Sequence, residues 1–329
     1  MKSWKIILGL AFSVLFLVLA FRSVRREDLA EAMRSAKYGY TVPAMLLIVA
    51  SLYLRAVRWR YLLHPIKDIG RRSLFYATGV GAMVNITFPA RLGEFVRAYA
   101  IGERERISRS SSFATIVVER VFDGFALLFF LAIVAIFGSN HAGGWLRQAE
   151  YVAVIGYLAA LATLILLKTH TRFALSLAQG ALRPFPHAVR EKALAILASF
   201  IDGLRVFRST KNMGVAIALS PLVWLPNAAA IHLLLVSTGI HLGALVSLLL
   251  LVALCVGVTI PSAPGFVGNV QFVSVEILKL FGVPAGSALT FSLIYNACIF
   301  LPVLLTGIAC VVAEGLSFAE IKDIMRLKR

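Results

Sequence analysis

Acidic residues are scarce in this 329-residue chain: 16 Asp and Glu stand against 33 Lys and Arg, a formal net charge of +17. Cysteine is scarcer still. Cys255, Cys298 and Cys310 lie in apolar segments without metal-ligand spacing, which argues against a disulfide framework and a zinc site. The six histidines are scattered, and no Ser–His or Cys–His arrangement, phosphate-binding loop or paired-acid loop is present. Glu119 and Asp123 imitate an acid/base pair, but the sequence implies no catalytic residue, metal or cofactor. The longest external loop expected, 138–150, holds Glu150 as its only acid, which argues against a glycosyltransferase needing metal-bound sugar phosphate. Basic residues are scattered over several short loops, the pattern of cytoplasmic loops facing anionic headgroups, so no nucleic-acid partner is expected.

Apolar residues are abundant. They make up 60% of the chain, the mean hydropathy is +0.86, and several runs exceed the roughly 18 residues a spanning helix needs. The fold class predicted is an all-α polytopic membrane protein, with one transmembrane domain over 1–329 and no soluble domain left over. Six full spans are expected near 4–21, 41–63, 113–137, 151–168, 213–237 and 286–313. The apolar stretch from Ile6 to Phe21 reads as an uncleaved first helix, because Arg25 and Arg26 follow in place of a small-residue cleavage site. Residues 22–40 read as a short outer-face helix, and the alternation of apolar and basic positions over 169–211 reads as amphipathic helices on the inner leaflet. A basic cytoplasmic tail, 314–329, closes the chain.

Two further apolar segments, about 73–103 and 244–283, are interrupted. Each carries Pro-x-x-x-Gly, Pro89 to Gly93 and Pro261 to Gly265, with Pro264 and Gly268 beside the second. Proline removes a backbone donor and glycine relaxes the backbone, so both segments are expected to break into paired half-helices. Lipid tolerates such breaks only where protein or a watery cavity covers them. Twenty-five basic residues fall on one side of this topology and seven on the other, which puts both termini in the cytoplasm. The units 41–137 and 213–313 then enter the membrane from opposite faces, as inverted repeats joined by 138–212.

Charge is concentrated in the first unit, where Asn85, Arg91, Glu94, Arg97, Glu119, Arg120 and Asp123 lie in apolar surroundings. A charge at mid-membrane costs at least about 2.5–3.5 kcal/mol, so these need mutual pairing or an occupant. Glu119 and Asp123 are i and i+4 and share a helix face, while Arg120 projects about 100° away. Two readings stay open. In one, Glu94 or Glu119 pairs with Arg97 or Arg120 only to hold a half-helix in place. In the other, Arg91, Arg97 and Arg120 receive an anionic headgroup, helped by backbone donors after Pro89. The second break offers the neutral groups Ser262, Asn269 and Gln271 and freed backbone, with Asn227, Tyr295 and Asn296 on flanking spans. Each of these suits an interhelical hydrogen bond as well as a ligand contact.

The stretch Asn85-Ile-Thr-Phe-Pro-Ala-Arg91-Leu-Gly93-Glu94-Phe-Val-Arg97, followed by Glu119-Arg120-Val-Phe-Asp123, resembles the lysylphosphatidylglycerol synthase transmembrane, or flippase-like, family. Pro261-Ser-Ala-Pro-Gly-Phe-Val-Gly268 is similar to its second signature, and Arg55 and Arg58 suit the basic motif that precedes the first. Many relatives carry Glu where Gln271 stands. The resemblance implies a flippase for an anionic phospholipid or isoprenoid-linked lipid in a bacterial-type inner membrane, without a synthase domain. Its partners would be membrane lipids, with a homo-oligomer or a lipid-biosynthetic enzyme as further assemblies. The rival expectations are a non-transporting partner of lipid-modifying enzymes and an integral lipid-modifying enzyme using Glu119 and Asp123.

Overall fold

The computed structural model describes residues 3–22, 24–88, 92–137, 187–203, 210–260 and 262–313, with isolated positions between 155 and 180. Among them the chain is helical, without strands. In order, the helices are α1 (Ser3–Phe21), α2 (Arg26–Ser35), α3 (Thr41–Leu63), α4 (Arg71–Thr87), α5 (Gly93–Glu105) and α6 (Arg109–Phe137). They continue with α7 (His187–Gly203), α8 (Thr210–Ser237), α9 (Ala244–Gly257), α10 (Asn269–Lys279) and α11 (Ala285–Ala313). Short 3₁₀ turns occupy Tyr38–Tyr40 and Pro264–Phe266.

Four helices, at Tyr38–Leu63, Arg109–Phe137, Lys211–Ser237 and Ala285–Ala313, are long and apolar enough to cross a bilayer. These match four of the six expected spans. The expected first span is helical over the 19 residues of α1. The span at 151–168 and the tail at 314–329 lie outside the described residues. Much of the stretch at 169–211 does too; its helix α7 packs against α6.

Both interrupted segments are interrupted in the structure. At 1.5 Å per residue, α4 and α5 are about 26 and 20 Å long, and α9 and α10 about 21 and 17 Å, all short of the roughly 30 Å hydrocarbon core. Helix α4 stops at Thr87 because Phe88 is extended (φ −119°, ψ 142°), the conformation favoured before a proline. Ala263, before Pro264, is extended for the same reason (φ −59°, ψ 161°). Gly265 and Gly268 follow at φ +72° and +93°, where side chains are strained. Pro89, Arg91 and Pro261 themselves lie outside the described residues.

Each pair of short helices folds back on itself. A Cβ on Gly93 would strike the Gly81 carbonyl oxygen and lie 2.6 Å from Asn85, so α4 and α5 meet backbone to backbone. In the second pair, Asn269 Nδ2 donates to the Gly257 and Ile260 carbonyls at 2.9 and 2.8 Å. Between the units, α3 and α8 lie side by side in opposite directions. Lys37 N donates to Ser237 O at one end (2.7 Å), Ser51 Oγ donates to Val223 O midway (2.8 Å), and Asn212 meets His64 at the other end (3.3 Å). Three further packings within and between the units come in matched pairs: α4 on α5 with α9 on α10, α5 on α6 with α10 on α11, and α11 on α4 with α6 on α9.

Candidate functional site

Helices α3, α5 and α6 bring four guanidinium groups and three carboxylates together. Arg58 is fully buried and bridges both α6 acids, with Nη2 3.2 Å from Glu119 and Nη1 2.7 Å from Asp123. The i, i+4 spacing of Glu119 and Asp123 therefore clamps one cation from the neighbouring span. Arg97, 4% exposed, reaches Glu119 from α5 at 2.9 Å and lies 3.7 Å over the Trp59 ring. Trp59 is held in turn by its indole N–H, which donates to Thr115 Oγ1 at 2.9 Å. Arg120 does not stay apart from its neighbours: it curls back to Glu119 (2.7 Å) and Asp123 (3.1 Å) and lies 3.6 Å from Glu94. Arg55 lies 3.9 Å from Asp123 and 4.5 Å over the Trp224 ring of α8. The Trp224 indole N–H donates to Asp123 at 3.0 Å.

Most of these contacts give the charged residues a structural role. A buried carboxylate that satisfies three arginines fixes α3, α5 and α6 against one another, and removing it would leave uncompensated charges. The pairings Glu119–Arg97 and Glu94–Arg120 are those of the packing reading.

A cleft of about 220 Å³ opens beside the cluster. Arg55, Asn85, Glu94, Arg97 and Arg120 form its polar wall, and Leu52, Ile86, Ile299 and Val303 line its apolar side. Trp224 and Asn227 of α8 and Phe266 of the second break also reach it, so both units contribute. At about 30 Å³ of liquid per water, the volume suits a headgroup rather than acyl chains.

The expected candidates thus divide. Asn85, Glu94, Arg97 and Arg120 line the cleft, while Glu119 and Asp123 stand behind it and hold the arginines. The α5 N-terminus is already capped: Gly93 N donates to Asn85 Oδ1 at 2.8 Å, and Glu94 occupies the first turn. Gln271 and Asn296 serve the backbone of the second break. Gly268 N donates to Gln271 Oε1 at 2.7 Å, and Asn296 Nδ2 donates to Gly265 O at 2.7 Å. Neither lines the cleft.

One expectation needs correction. The basic count for the inner side includes Arg55, Arg58 and Arg97 as loop charges, but the structure buries all or most of each within the helix cluster. Twenty-two basic residues remain on that side against seven, so the asymmetry persists. Composition misses Arg58 because it stands five residues before the end of α3, where a snorkelling arginine is ordinary. Its i+3 relation to Arg55 on an apolar span was the available signal. Ser13 of α1 was also missed. Its hydroxyl accepts from Ala263 N (2.6 Å) and donates to Val267 O (2.8 Å), bracing the second break from outside the unit.

The fold and cluster define a polytopic helical membrane protein with a charged cleft between two broken-helix units. The chain belongs to the family described as the lysylphosphatidylglycerol synthase TM region, which it matches over residues 6–307. It is similar to a UPF0104 membrane protein of Methanothermobacter thermautotrophicus, 25% identical over 308 residues, covering 89% of this chain and 90% of that one. It is also similar to the UPF0104 membrane protein MJ1595 of Methanocaldococcus jannaschii, 24% identical over 323 residues and covering 93% and 94% of the two chains. A shorter match, 34% identical over 122 residues, covers 36% of this chain and 19% of the protein named glycosyltransferase AglD of Haloferax volcanii. These relatives are archaeal and lend no support to the bacterial-type membrane expected from the sequence.

Proposed function

We propose that this chain is a lipid carrier that moves an amphiphile with an anionic headgroup between leaflets, such as an anionic phospholipid or an isoprenoid-linked lipid. The headgroup passes through the cleft while the tails remain in the bilayer. The observation that carries this reading is a guanidinium-lined cleft of headgroup size with an apolar side, walled by both units. Arginine suits the task because it binds phosphate oxygens in a fork and keeps its charge when partly desolvated. The antiparallel contact of α3 with α8 supports an inverted pair of units, the arrangement that lets one site face either side by rocking. In this reading both hairpins are re-entrant, both termini are cytoplasmic, and the protein catalyses no covalent step.

The test is transport by the purified chain in proteoliposomes carrying headgroup-labelled phosphatidylglycerol. Glu94→Ala and Arg91→Ala are expected to abolish movement while melting like the parent; undiminished movement in both would end the assignment. A second reading, a non-transporting partner of lipid-modifying enzymes, draws on the match to a protein named a glycosyltransferase. Co-purification with such an enzyme, with no lipid movement, would favour it.

A further inference from the structure

Within that carrier reading, we propose that Arg55, presented on the face of Trp224, is the group that receives the anion, and that the cleft selects a singly charged phosphodiester. The charges decide it. Four guanidinium groups face three carboxylates, so among the described residues one positive charge has no counterpart. Arg58 is held by two acids and also donates to Ser220 Oγ at 3.0 Å; Arg97 is held by Glu119 and Arg120 by all three acids.

Arg55 differs from these three. Among the described residues its one ion pair is the 3.9 Å approach to Asp123, whose oxygens already meet Arg58, Arg120 and the Trp224 indole. It makes no hydrogen bond among the described residues, is 17% exposed, and lines the cleft. Arg97 Nε and Arg120 Nε also lack a hydrogen-bond partner among the described residues, but carboxylates within 3.1 Å hold both of those guanidinium groups, so Arg55 offers the open fork. Asp123 fixes the Trp224 ring, and the ring fixes the guanidinium by stacking, so the fork is oriented before any ligand arrives.

A second group points the same way. Thr78 lines the cleft, is 3% exposed, and its hydroxyl has no partner among the described residues. A buried hydroxyl without a partner is costly, and a phosphate oxygen in the cleft would accept from it. Glu94 shares the cleft and repels additional negative charge. A net surplus of one positive charge, with Glu94 already counted, suits a monoanionic diester better than a doubly charged monoester or diphosphate.

The phosphodiester is carried by a lipid or arrives as a free soluble diester, and binding to the purified full-length chain separates the two. The probes are dioctanoyl phosphatidylglycerol, dioctanoyl phosphatidic acid, zwitterionic dioctanoyl phosphatidylcholine and soluble glycerophosphoglycerol. Wild type should bind phosphatidylglycerol at least about tenfold tighter than phosphatidic acid, a monoester that takes a second negative charge, or phosphatidylcholine, whose diester brings an ammonium that the surplus guanidinium repels. Arg55→Gln should lose about tenfold or more in affinity for phosphatidylglycerol with its melting temperature unchanged, and Arg55→Lys should lose part of it because the fork and stacking go while the charge stays. Thr78→Val should lose a few-fold. Equal affinity for glycerophosphoglycerol would keep Arg55 as acceptor and assign a soluble anion. Unchanged phosphatidylglycerol binding by Arg55→Gln, or no preference for the monoanion in wild type, would overturn the inference. Arg55-dependent binding without transport would instead sink only the carrier reading.

Discussion

The two broken hairpins solve one problem with different chemistry. A helix interrupted inside lipid exposes backbone groups that have no water to turn to. The second hairpin answers with neutral side chains. Ser13, Asn269, Gln271 and Asn296 each bond a carbonyl or N–H of the break, and Gly265, Phe266 and Gly268 take positive φ. The first hairpin caps its return with Asn85 and close Gly81–Gly93 packing, then places Glu94 next and Arg97 one turn later, beside the cluster. The neutral break is closed upon itself, whereas the ionic one leaves donors facing a cleft. Two units with matching packing therefore differ in what they present: the second corner is closed by neutral side chains, and the first lines the cleft with charged ones.

Substitutions can break or sharpen that contrast. The largest effect is expected for Glu119→Ala, which strands Arg97 in the interior, leaves Arg58 with Asp123 alone, and should destabilise by about 3–5 kcal/mol. Thermal unfolding in detergent measures it, and a loss below that of Asn269→Ala would reverse the ranking of the corners. Next come the glycines. Gly93→Ala pushes a methyl into the Gly81 carbonyl and Asn85, and Gly268→Ala meets Ser13 O at 2.6 Å with φ at +93°; each should cost about 1–3 kcal/mol. Gly93→Ala should also alter lipid binding more than Gly268→Ala, because Gly93 itself lines the cleft and Gly268 does not. Ser13→Ala removes a donor and an acceptor from the second break and should cost about 1–2 kcal/mol without changing affinity for anionic lipid. The smallest effect belongs to Lys67→Ala. Its half-exposed pair with Glu105 ties the ends of the first unit's helices, and its loss should cost under about 1 kcal/mol.

The sequence made some of this legible because local rules govern it. Proline and glycine mark the breaks, and i, i+4 spacing puts Glu119 and Asp123 on one face. What escaped depended on contacts distant in sequence. Trp224 matters because α8 lies against α3 and carries its ring to Arg55, and no local pattern announces that. Arg58 reads as an interfacial charge until α6 supplies its acids. Gln271 resembles a ligand contact by composition, but it sits three residues after Gly268, whose N–H it accepts.

The link from Ser13 to Ala263 crosses 250 residues of chain. A ribosome inserting this protein releases α1 early, and its hydroxyl has no corner to brace until α9 and the 3₁₀ turn have been made. Closure of that corner therefore comes late in synthesis, and the first helix acts as a latch made long before its catch. Chains lacking 1–21 should leave the loop before α10 open to protease long after synthesis ends.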